Sequence, residues 1–388
     1  MKISILTPDL SHNCLGRAYL LAKILQRHYE VEIVGPIFGD GIWKPVADDK
    51  TIVYKGVKIC GSLNPYWQSM ELVKKIDGDV IYASKPLFTS FGIGLIKKQC
   101  SGKPLILDID DWQMGFIKEN YRNLSFPCRT VSLVYSTIFL YRVDSYWNNL
   151  LGEKLSHFAS EITTSNTFLK RQFSGTIVWH GRDTNAFDPK KFSESTIRKM
   201  HDISEEKKVV MFFGSPRAHK GIEDLIEAVN MIKDQNVVLL LVGVDDNDPY
   251  ANKLLTTAQM TLHNRIKIFG LQSFERVPEF LTMANVIVIP QKNNYATLGQ
   301  VPAKIFDAMA MAKPIISTNV SDIPEILNDC GWIVEPDKPA QLAEIIKYVL
   351  DNPKEAKEMG QKARKKCIDR YSWNAIEETL LKVFAKYE

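Results

Sequence analysis

The sequence lacks the cysteine spacings that bind zinc or cross-link a small secreted domain. Its 388 residues contain six cysteines, and no two of them form a CxxC pair. This scarcity excludes a disulfide scaffold and predicts mostly buried, reduced thiols in a cytoplasmic protein. Hydrophobic residues at 45% and charged residues at 24% also exclude a collagen-like or disordered chain.

Long hydrophobic runs are missing as well. No stretch reaches the roughly 18 apolar residues that a membrane-spanning helix needs, and we expect no signal peptide because a strand pattern begins at Lys2. The longest candidate is the stretch 130–141, between Arg129 and Arg142. We predict a buried helix there. The alternative is an interfacial segment with aromatic anchors, which would give residues 130–147 a peripheral contact with the inner face of a membrane.

The net charge of +4 is small, but it is unevenly distributed. Residues 1–182 carry 22 basic and 16 acidic residues, a balance of +6, whereas residues 183–388 carry 27 and 29, a balance of −2. So small a total does not favour nucleic acid as a partner. The basic half fits an anionic partner, a membrane surface or simply a solvated face.

What the sequence does contain is an alternation of short β-branched runs and longer helical patterns. Strands are predicted at Lys2–Thr7 and Lys208–Phe213, and each opens a series of alternating elements. Near-continuous apolar strands such as Val237–Val242 are typical of a parallel sheet covered on both faces. We therefore predict an α/β protein with two Rossmann-like, doubly wound domains facing a central cleft, joined by a charged, turn-rich connection at 184–206.

The loop after Lys208–Phe213 is a candidate phosphate site. Gly214 permits a tight turn, Gly221 opens a helix, and Arg217 and Lys220 lie just ahead of that helix. Two cations beside the positive end of a helix favour an anion, in particular a diphosphate. The alternative is a solvated basic loop. No GxGxxG follows a strand, which argues against a dinucleotide oxidoreductase.

A second candidate segment runs from Gly299 to Pro314. Pro302 fits the first turn of a helix, predicted at Val301–Met311. Lys304 and Asp307 are three residues apart and share a helix face. They form either an exposed ion pair or a site in which the carboxylate holds a ribose diol and the lysine faces phosphate.

The second half resembles the retaining GT-B glycosyltransferases of family four, the glycosyl transferases group 1. The resemblance covers roughly 205–388 and rests on motifs in the family's order: GSPRAHKGIEDLIEA, LLLVG, IFGLQSFERVPEFLTMANVIVIP, VPAKIFDAMAMAKPIIST, VSDIPEIL and CGWIVEPDKPAQLAEII. It implies an acceptor-binding domain at 1–183 and a nucleotide-sugar-binding domain at 207–370. It also implies a C-terminal helix, within 371–388, that crosses back to the N-terminal domain.

The resemblance implies roles for the basic loop and for one glycine of the first half. Arg217 and Lys220 match the pair that grips the nucleotide diphosphate, which makes them catalytic candidates as well as donor-binding ones. Gly214 and Lys304 join them as donor-binding candidates. Gly16 matches the glycine of the first βα loop, where the backbone approaches the donor phosphates.

The family's paired-Glu motif is only partly matched. Asp307 takes the place of the second acid, which holds the ribose hydroxyls, and is shorter by one methylene. The first acid would fall at Gly299 and is missing, so the segment resembles the Pro-x-Lys-x-x-Glu variant. The backbone amides of Gly299, Gln300 and Val301 remain candidates to contact the donor sugar.

The resemblance also implies a reaction. A sugar leaves a nucleotide-sugar donor, whether a UDP-, a GDP- or another sugar, with retention of its anomeric configuration and with no metal or further cofactor. Cations that face the leaving diphosphate stabilise its growing charge more strongly in the transition state than in the ground state.

The acidic run 108–111 has three interpretations. Asp-x-Asp is a metal-binding motif in the other glycosyltransferase fold, but strand-end caps are the commoner explanation of such residues. The third is an acceptor-facing role, in which Asp110 orients a hydroxyl or stabilises positive charge on the sugar. Asn13, Asp111 and His180 are further acceptor-side candidates. His12 and His219 fit ligand contacts and structural roles equally well.

Two functional classes therefore remain open. A glycosyltransferase with an unknown acceptor (a glycan, a lipid-linked compound or a small molecule) fits the retained Arg217, Lys220 and Lys304. A non-catalytic GT-B-like binding or partner subunit fits the missing acid at Gly299 and the shortened Asp307.

Overall fold

The computed structural model describes residues 1–59, 65–122, 124–139, 142–245 and 247–388, without the side chains of 65–67. It divides into two compact units. Unit 1 comprises Met1–His180, Leu298–Gln300 and Ile376–Glu388, and unit 2 comprises Gly181–Thr297 and Val301–Ala375. The stretch 184–206, which the sequence predicts as a connection between domains, is part of unit 2.

Unit 1 alternates strands with helices. Its elements are β1 (Lys2–Leu6), α1 (Leu15–Leu25), β2 (Glu30–Ile37), β3 (Val53–Lys58), α2 (Pro65–Lys75), β4 (Val80–Ser84), α3 (Ile93–Ser101), β5 (Leu105–Ile109), α4 (Gln113–Arg122), α5 (Phe126–Ile138), α6 (Tyr146–Leu155), β6 (Glu161–Thr164), α7 (Thr167–Phe173) and β7 (Thr176–Ile177). The strands pair in parallel in the order β3-β2-β1-β4-β5-β6-β7. This is the doubly wound order that the alternation predicts.

The central strands of unit 1 are buried along their whole length, which explains their apolar sequences. Asp108 is the exception in β5, and a buried cation compensates it. Arg17, in α1, donates from Nε and Nη2 to the two carboxylate oxygens at 2.9 Å each, and also donates to the carbonyl oxygen of Val178 at 2.8 Å. This bidentate pair ties α1 and the 178 segment to the carboxyl end of β5.

Unit 2 repeats the pattern. Its elements are α8 (Glu194–Met200), β8 (Lys208–Phe213), α9 (Ile222–Met231), β9 (Val237–Val244), α10 (Pro249–Leu262), β10 (Ile266–Gly270), α11 (Val277–Thr282), β11 (Val286–Ile289), α12 (Tyr295–Leu298, whose last residue belongs to unit 1), α13 (Ala303–Ala310), β12 (Ile315–Thr318), α14 (Ile323–Leu327), β13 (Trp332–Val334), α15 (Pro339–Asp351) and α16 (Pro353–Tyr371). The strand order is β10-β9-β8-β11-β12-β13, again parallel.

The last helix, α17 (Trp373–Phe384), begins in unit 2, and its residues from Ile376 onward belong to unit 1. There the ring of Phe384 lies 5.4 Å from that of Tyr82, edge to face. The carboxylate of Glu377 pairs with Arg27 at 3.3 Å. The C-terminal segment is therefore part of the core of unit 1.

Two helix boundaries differ from the sequence expectations. Gly16 lies inside the first turn of α1 and not in a loop. The helix predicted at Val301–Met311 is shorter, because Pro302 is its N-cap, with ψ 120°, and helical geometry starts at Ala303. Proline has no N–H to donate, so it suits the position that precedes the hydrogen-bonded turns.

The expectation of mostly buried cysteines is wrong for the described residues, although their thiols are free. Cys330 and Cys367 are buried, Cys14 is half-buried, and Cys100 and Cys128 are exposed. Cys60 lies outside the described residues.

The expectation of a buried helix at 130–141 is wrong too. Most side chains of α5 are exposed, with Val131 at 69% and Ile138 at 60%. Leu140 and Tyr141 lie outside the described residues. Among the helices that the structure describes, none has the length and hydropathy to cross a bilayer.

Candidate active site

The basic cluster of unit 2 surrounds Gly214, at the carboxyl end of β8. The φ angle of Gly214 is +132°, a conformation that side-chain-bearing residues rarely adopt. A Cβ there would lie 3.7 Å from the side chain of Lys304 and 4.0 Å from Nζ of Lys220. Two lysines from separate elements therefore converge on a stretch of backbone that has no side chain of its own.

The loop from 214 to 221 holds Lys220 in this position. Its ammonium donates to the carbonyl oxygen of Ser215 at 2.7 Å. Gly221 is the N-cap of α9 with φ +63°, and a Cβ there would lie 2.0 Å from the carbonyl oxygen of Pro290. Only glycine fits this position. Because Lys220 directly precedes it, the start of α9 also fixes the position of the Lys220 backbone.

Arg217 makes an ion pair within the same unit. Its guanidinium pairs with the carboxylate of Asp248, which also caps α10 by accepting from the backbone N–H of Tyr250 at 3.0 Å. The Arg217 side chain is 46% exposed. Arg217 is therefore close to the basic cluster along the chain, and its side chain is accessible to solvent.

Asp307 is fully buried in α13 and faces two cations. Nε of Arg182 donates to its Oδ1, and Nζ of Lys304 lies 3.3 Å from its Oδ2. Burial acts to raise the pKa of Asp307, but Arg182 and Lys304 outweigh it and hold that pKa below the usual range. The carboxylate is therefore ionised.

Arg182 is a residue that the sequence analysis did not identify. Its guanidinium also donates to the carbonyl oxygens of Gly181 at 2.8 Å and Ala303 at 3.3 Å. The available signal was its position in His-Gly-Arg-Asp, where the glycosyltransferases that the sequence resembles commonly read Asn-Gly-Val-Asp. This departure and the shortened acid at Asp307 are joined in the structure by an ion pair.

A second polar cluster lies in unit 1, at the carboxyl ends of β4 and β5. Nζ of Lys85 donates to Asp110 at 2.6 Å and to Asp111 at 2.7 Å. Nε2 of Gln300 donates to the other oxygen of Asp111 at 2.9 Å. The backbone of Lys85 is left-handed, with φ +68°, a strained conformation for lysine of the kind that concentrates at functional sites.

Lys85 is the second residue that the sequence analysis missed. The signal available was a lysine directly after the apolar strand 80–84, at the edge where ligands of parallel sheets bind. The structure adds a side-chain contact for Gln300. The sequence analysis proposes its backbone amide as a donor-sugar contact, and its side-chain amide donates to Asp111.

The two carboxylates of this cluster titrate differently. Burial, reinforced by Asp111 and Asp108, raises the pKa of Asp110 to about 6, although Lys85 opposes the shift. Burial also acts on Asp111, but Lys85 and Gln300 outweigh it and hold the pKa of Asp111 below its usual range. Neighbouring acids with separated pKa values are typical of catalytic sites.

Gly299 has a packing reason to lack a side chain. A Cβ at this position would lie 2.4 Å from Cβ of Trp112 and 3.3 Å from the ring of Phe168. Its carbonyl oxygen accepts from the backbone N–H of Trp112 at 3.3 Å and from Nδ2 of Asn166 at 3.1 Å. An acid at this place is therefore sterically excluded in this conformation.

The remaining candidates are scattered around these clusters. In unit 1, His180 is buried and contributes to the lowered pKa of Asp111, while Asn13 is exposed and accepts from the backbone N–H of Gly16 at 3.0 Å. His12 pairs with Asp9 in the same loop. In unit 2, Val301 is buried, and the carbonyl oxygen of His219 accepts from the backbone N–H of Lys292 at 3.0 Å.

The structure thus brings the predicted residues together in two groups. Within unit 2 it assembles one cluster of the residues Gly214, Lys220, Lys304 and Asp307. Within unit 1 it assembles another cluster of the residues Asp110, Asp111, Gln300 and His180. The first group places cations around the backbone of a glycine, which suits a phosphate. The second contains a carboxylate, that of Asp110, whose pKa burial raises to about 6, which suits contact with a hydroxyl proton.

Two parallel-sheet α/β units of this kind define the GT-B fold, and solved structures share it. Anabaena HepE (Alr3699), solved in complex with UDP-glucose, matches over 100% of both chains with a TM-score of 0.78 and 17% identity. WaaG, a glycosyltransferase involved in lipopolysaccharide biosynthesis, matches over 98% of this chain and 99% of its own, with a TM-score of 0.70 and 13% identity. At these identities the likeness establishes the fold alone.

Sequence comparison adds the family. Residues 193–366 match the family model described as Glycosyl transferases group 1, which supports that family for this part of the chain. Among curated relatives, alpha-maltose-1-phosphate synthase of Mycolicibacterium smegmatis is 27% identical over 223 residues, 54% of this chain and 56% of the relative. The chain thus matches little more than half the length of that relative.

Proposed function

We propose that this protein is a glycosyltransferase that moves a sugar from a nucleotide-sugar donor to a hydroxyl group of an acceptor. The observation that carries the proposal is the convergence of Lys220 and Lys304 on the bare backbone of Gly214. The group 1 match covers this region, and the UDP-glucose complex of the structural neighbour favours a UDP-sugar as the donor.

In the proposed reaction, the bond between the anomeric carbon and the diphosphate oxygen breaks while a bond to the acceptor oxygen forms. The acceptor proton passes to the leaving phosphate oxygen, and the anomeric configuration is retained. Lys220, Lys304 and Arg217 stabilise the charge that grows on the diphosphate, so the step proceeds without a metal. Gly214 lets the diphosphate approach the backbone, and we assign the same role to Gly16.

The donor contacts of the loop after α12 are part of the proposal. The backbone amides of Gly299, Gln300 and Val301 would bind the sugar, and Asp307 would hold the ribose. Because Asp307 is buried between Arg182 and Lys304, ribose binding requires those cations to share the carboxylate.

We assign the acceptor side to the acidic cluster of unit 1. Asp110 is ionised above about pH 6, and its carboxylate would orient the acceptor hydroxyl or stabilise positive charge on the sugar. Lys85 acts as a positioning residue, because it holds both carboxylates by short hydrogen bonds. Asn13, Asp111 and His180 complete this side. A cytoplasmic location and a membrane contact through 130–147 belong to the same proposal.

The alternative is a non-catalytic partner subunit, and one observation favours it. Gly299 occupies the place of an acid and has no room for a side chain. Under this alternative, the protein would bind a nucleotide sugar without turning it over.

The test measures donor binding and turnover separately. Thermal shift against a panel of nucleotide sugars identifies the donor, since a ligand that binds only the folded state raises the melting temperature. Lys220→Ala and Arg217→Ala are expected to lower transfer or donor hydrolysis by about a hundredfold or more. Lys253→Ala, an exposed lysine of α10, is the matched control.

Two results would overturn the proposal. If Lys220→Ala and Arg217→Ala bind and turn over the donor as well as Lys253→Ala, the basic cluster is not the donor site. If the wild type binds a donor but no acceptor or hydrolysis assay detects turnover, the partner-subunit alternative holds.

A further inference from the structure

Helix α5 presents its polar side to the protein and its apolar side to solvent. Of its residues, all of them described, only Ser136 is buried. The inward contacts include two hydroxyl groups, and Trp147 Nε1 also donates to the carbonyl oxygen of Leu133 at 3.2 Å. Ser132 Oγ and Tyr121 OH lie 2.7 Å apart, and Ser136 Oγ accepts from the backbone N–H of Tyr146 at 3.2 Å. This is the reverse of the usual arrangement for a surface helix.

The outward side of the same helix is a continuous apolar face. Its members are Val131 (69% exposed), Val134 (58%), Tyr135 (47%) and Ile138 (60%). Their spacing of three, four and seven residues places them on one side of the helix, and we call this set the α5 apolar face. Phe126, 83% exposed, extends the apolar surface at the start of the helix.

The charge around this face is mainly basic, although Arg142 pairs with the exposed Asp144 at 2.9 Å. From Asn120 to Val143 the sequence contains no aspartate or glutamate, and it contains Arg122, Arg129 and Arg142. All three arginines are exposed. Arg129 is fixed at the start of the helix, where its guanidinium donates to the carbonyl oxygen of Leu124 at 2.9 Å. An apolar helix face with basic flanks is complementary to an anionic lipid surface.

We propose that unit 1 docks on an anionic bilayer through the α5 apolar face. Helix α5 is 13 residues long, too short to span a bilayer, so it lies in the interface plane. Its valines and Ile138 enter the acyl boundary, and the arginines contact the headgroups. The docking does not depend on the reaction. Its consequence, an acceptor hydroxyl presented at a lipid surface, rests on the proposed function.

The test is flotation of the full chain with vesicles of phosphatidylglycerol and phosphatidylcholine at low salt, against vesicles of phosphatidylcholine alone. Binding to the anionic vesicles that weakens at high salt is expected. Val131→Ser/Val134→Ser is expected to lower the partition coefficient by about tenfold or more, because it removes inserted apolar area. Both side chains are exposed, so folding is preserved.

The matched control is Met200→Ser/Met260→Ser, which removes two side chains of unit 2 that are 69% and 72% exposed. It is expected to bind vesicles as the wild type does. Equal flotation of the two double variants would overturn the proposal. Equal binding of the wild type to anionic vesicles and to vesicles of phosphatidylcholine alone would overturn it too. A concentration-dependent dimer abolished by Val131→Ser/Val134→Ser would show that a second copy covers the face instead. UDP-sugar thermal shift on each variant reports donor binding separately from docking.

Discussion

At the scale of single residues, the candidate site depends on charges that are compensated inside the fold. Lys85 bridges Asp110 and Asp111, and Arg182 and Lys304 face Asp307. Burying a charge without a partner is costly, so each of these ions fixes the position of its neighbours. The sequence identifies the acids by motif and position, and it identifies Lys304 as a near neighbour of Asp307. It does not identify the distant partners, because Arg182 and Asp307 are 125 residues apart.

The raised pKa of Asp110 predicts a specific dependence of stability on pH. Between its ordinary value of 3.8 and about 6, the folded state holds a proton that the unfolded state has lost. The free energy of unfolding therefore falls as pH rises through this window. Asp110→Asn removes this titration, so its free energy of unfolding does not fall in the same way. The difference in that free energy, variant minus wild type, is therefore expected to rise between pH 4 and 6 by about 2 kcal/mol.

Urea unfolding of both proteins at several pH values measures this difference. Asp144→Asn is the control, because this acid is exposed and its ion pair with Arg142 lies at the surface, where such pairs contribute little to stability. A constant difference between Asp110→Asn and the wild type from pH 4 to 7 would contradict the shifted pKa. If Asp110 orients the acceptor, the activity of the wild type also falls below about pH 6.

At the scale of elements, the ion pair of Arg182 and Asp307 fixes the start of α13. The backbone of Arg182 is held from both sides, since its N–H donates to Tyr371 at 2.9 Å and its carbonyl accepts from Trp373 at 2.8 Å. Its side chain then reaches the buried acid and the carbonyl oxygen of Ala303. Helix α13 is thereby tied to the segment that enters unit 2 and to the end of α16.

Breaking this pair is expected to destabilise unit 2. Arg182→Met leaves a buried carboxylate with Lys304 as its cation, and Asp307→Leu leaves a buried guanidinium without its carboxylate. Each is expected to cost about 3–5 kcal/mol, whereas the double variant Arg182→Met/Asp307→Leu is expected to recover part of that loss. Chemical denaturation of the three variants gives the coupling energy. Strictly additive losses would show that the pair does not act as a unit.

At the scale of the whole molecule, the chain forms two α/β units, and its last residues belong to the first. Ile376, Leu380 and Phe384 are buried in unit 1. The stability of unit 1 therefore depends on residues at both ends of the chain. The contacts of α17 with the rest of unit 1 join residues that are far apart in the sequence.

Phe384→Ala is expected to test this dependence. The ring is fully buried against Tyr82 and Tyr29, so its removal leaves a cavity and costs about 3–5 kcal/mol. Native-state hydrogen exchange should show faster exchange in the strands of unit 1 and unchanged exchange in those of unit 2. Lys382→Ala, at an exposed position of the same helix, is the control. Equal acceleration in both units would contradict this assignment of the segment.

The sequence by itself determined the alternation of strands and helices, the parallel sheets and the basic loop that begins at Gly214. These features depend on local periodicity and on glycines at tight turns, and both are readable along the chain. It also placed Asp110 and Asp111 at the end of a strand, where ligands of parallel sheets bind.

Only the tertiary structure decided which distant cation each acid takes, why Gly299 has no side chain and which side of α5 faces water. Ion pairs between distant residues and steric contacts such as that of Gly299 with Trp112 depend on how the elements pack. The same apolar pattern in α5 suits either a core or an exposed surface. In the structure the hydroxyl groups of Ser132 and Ser136 make hydrogen bonds to neighbouring residues, and the apolar side faces water.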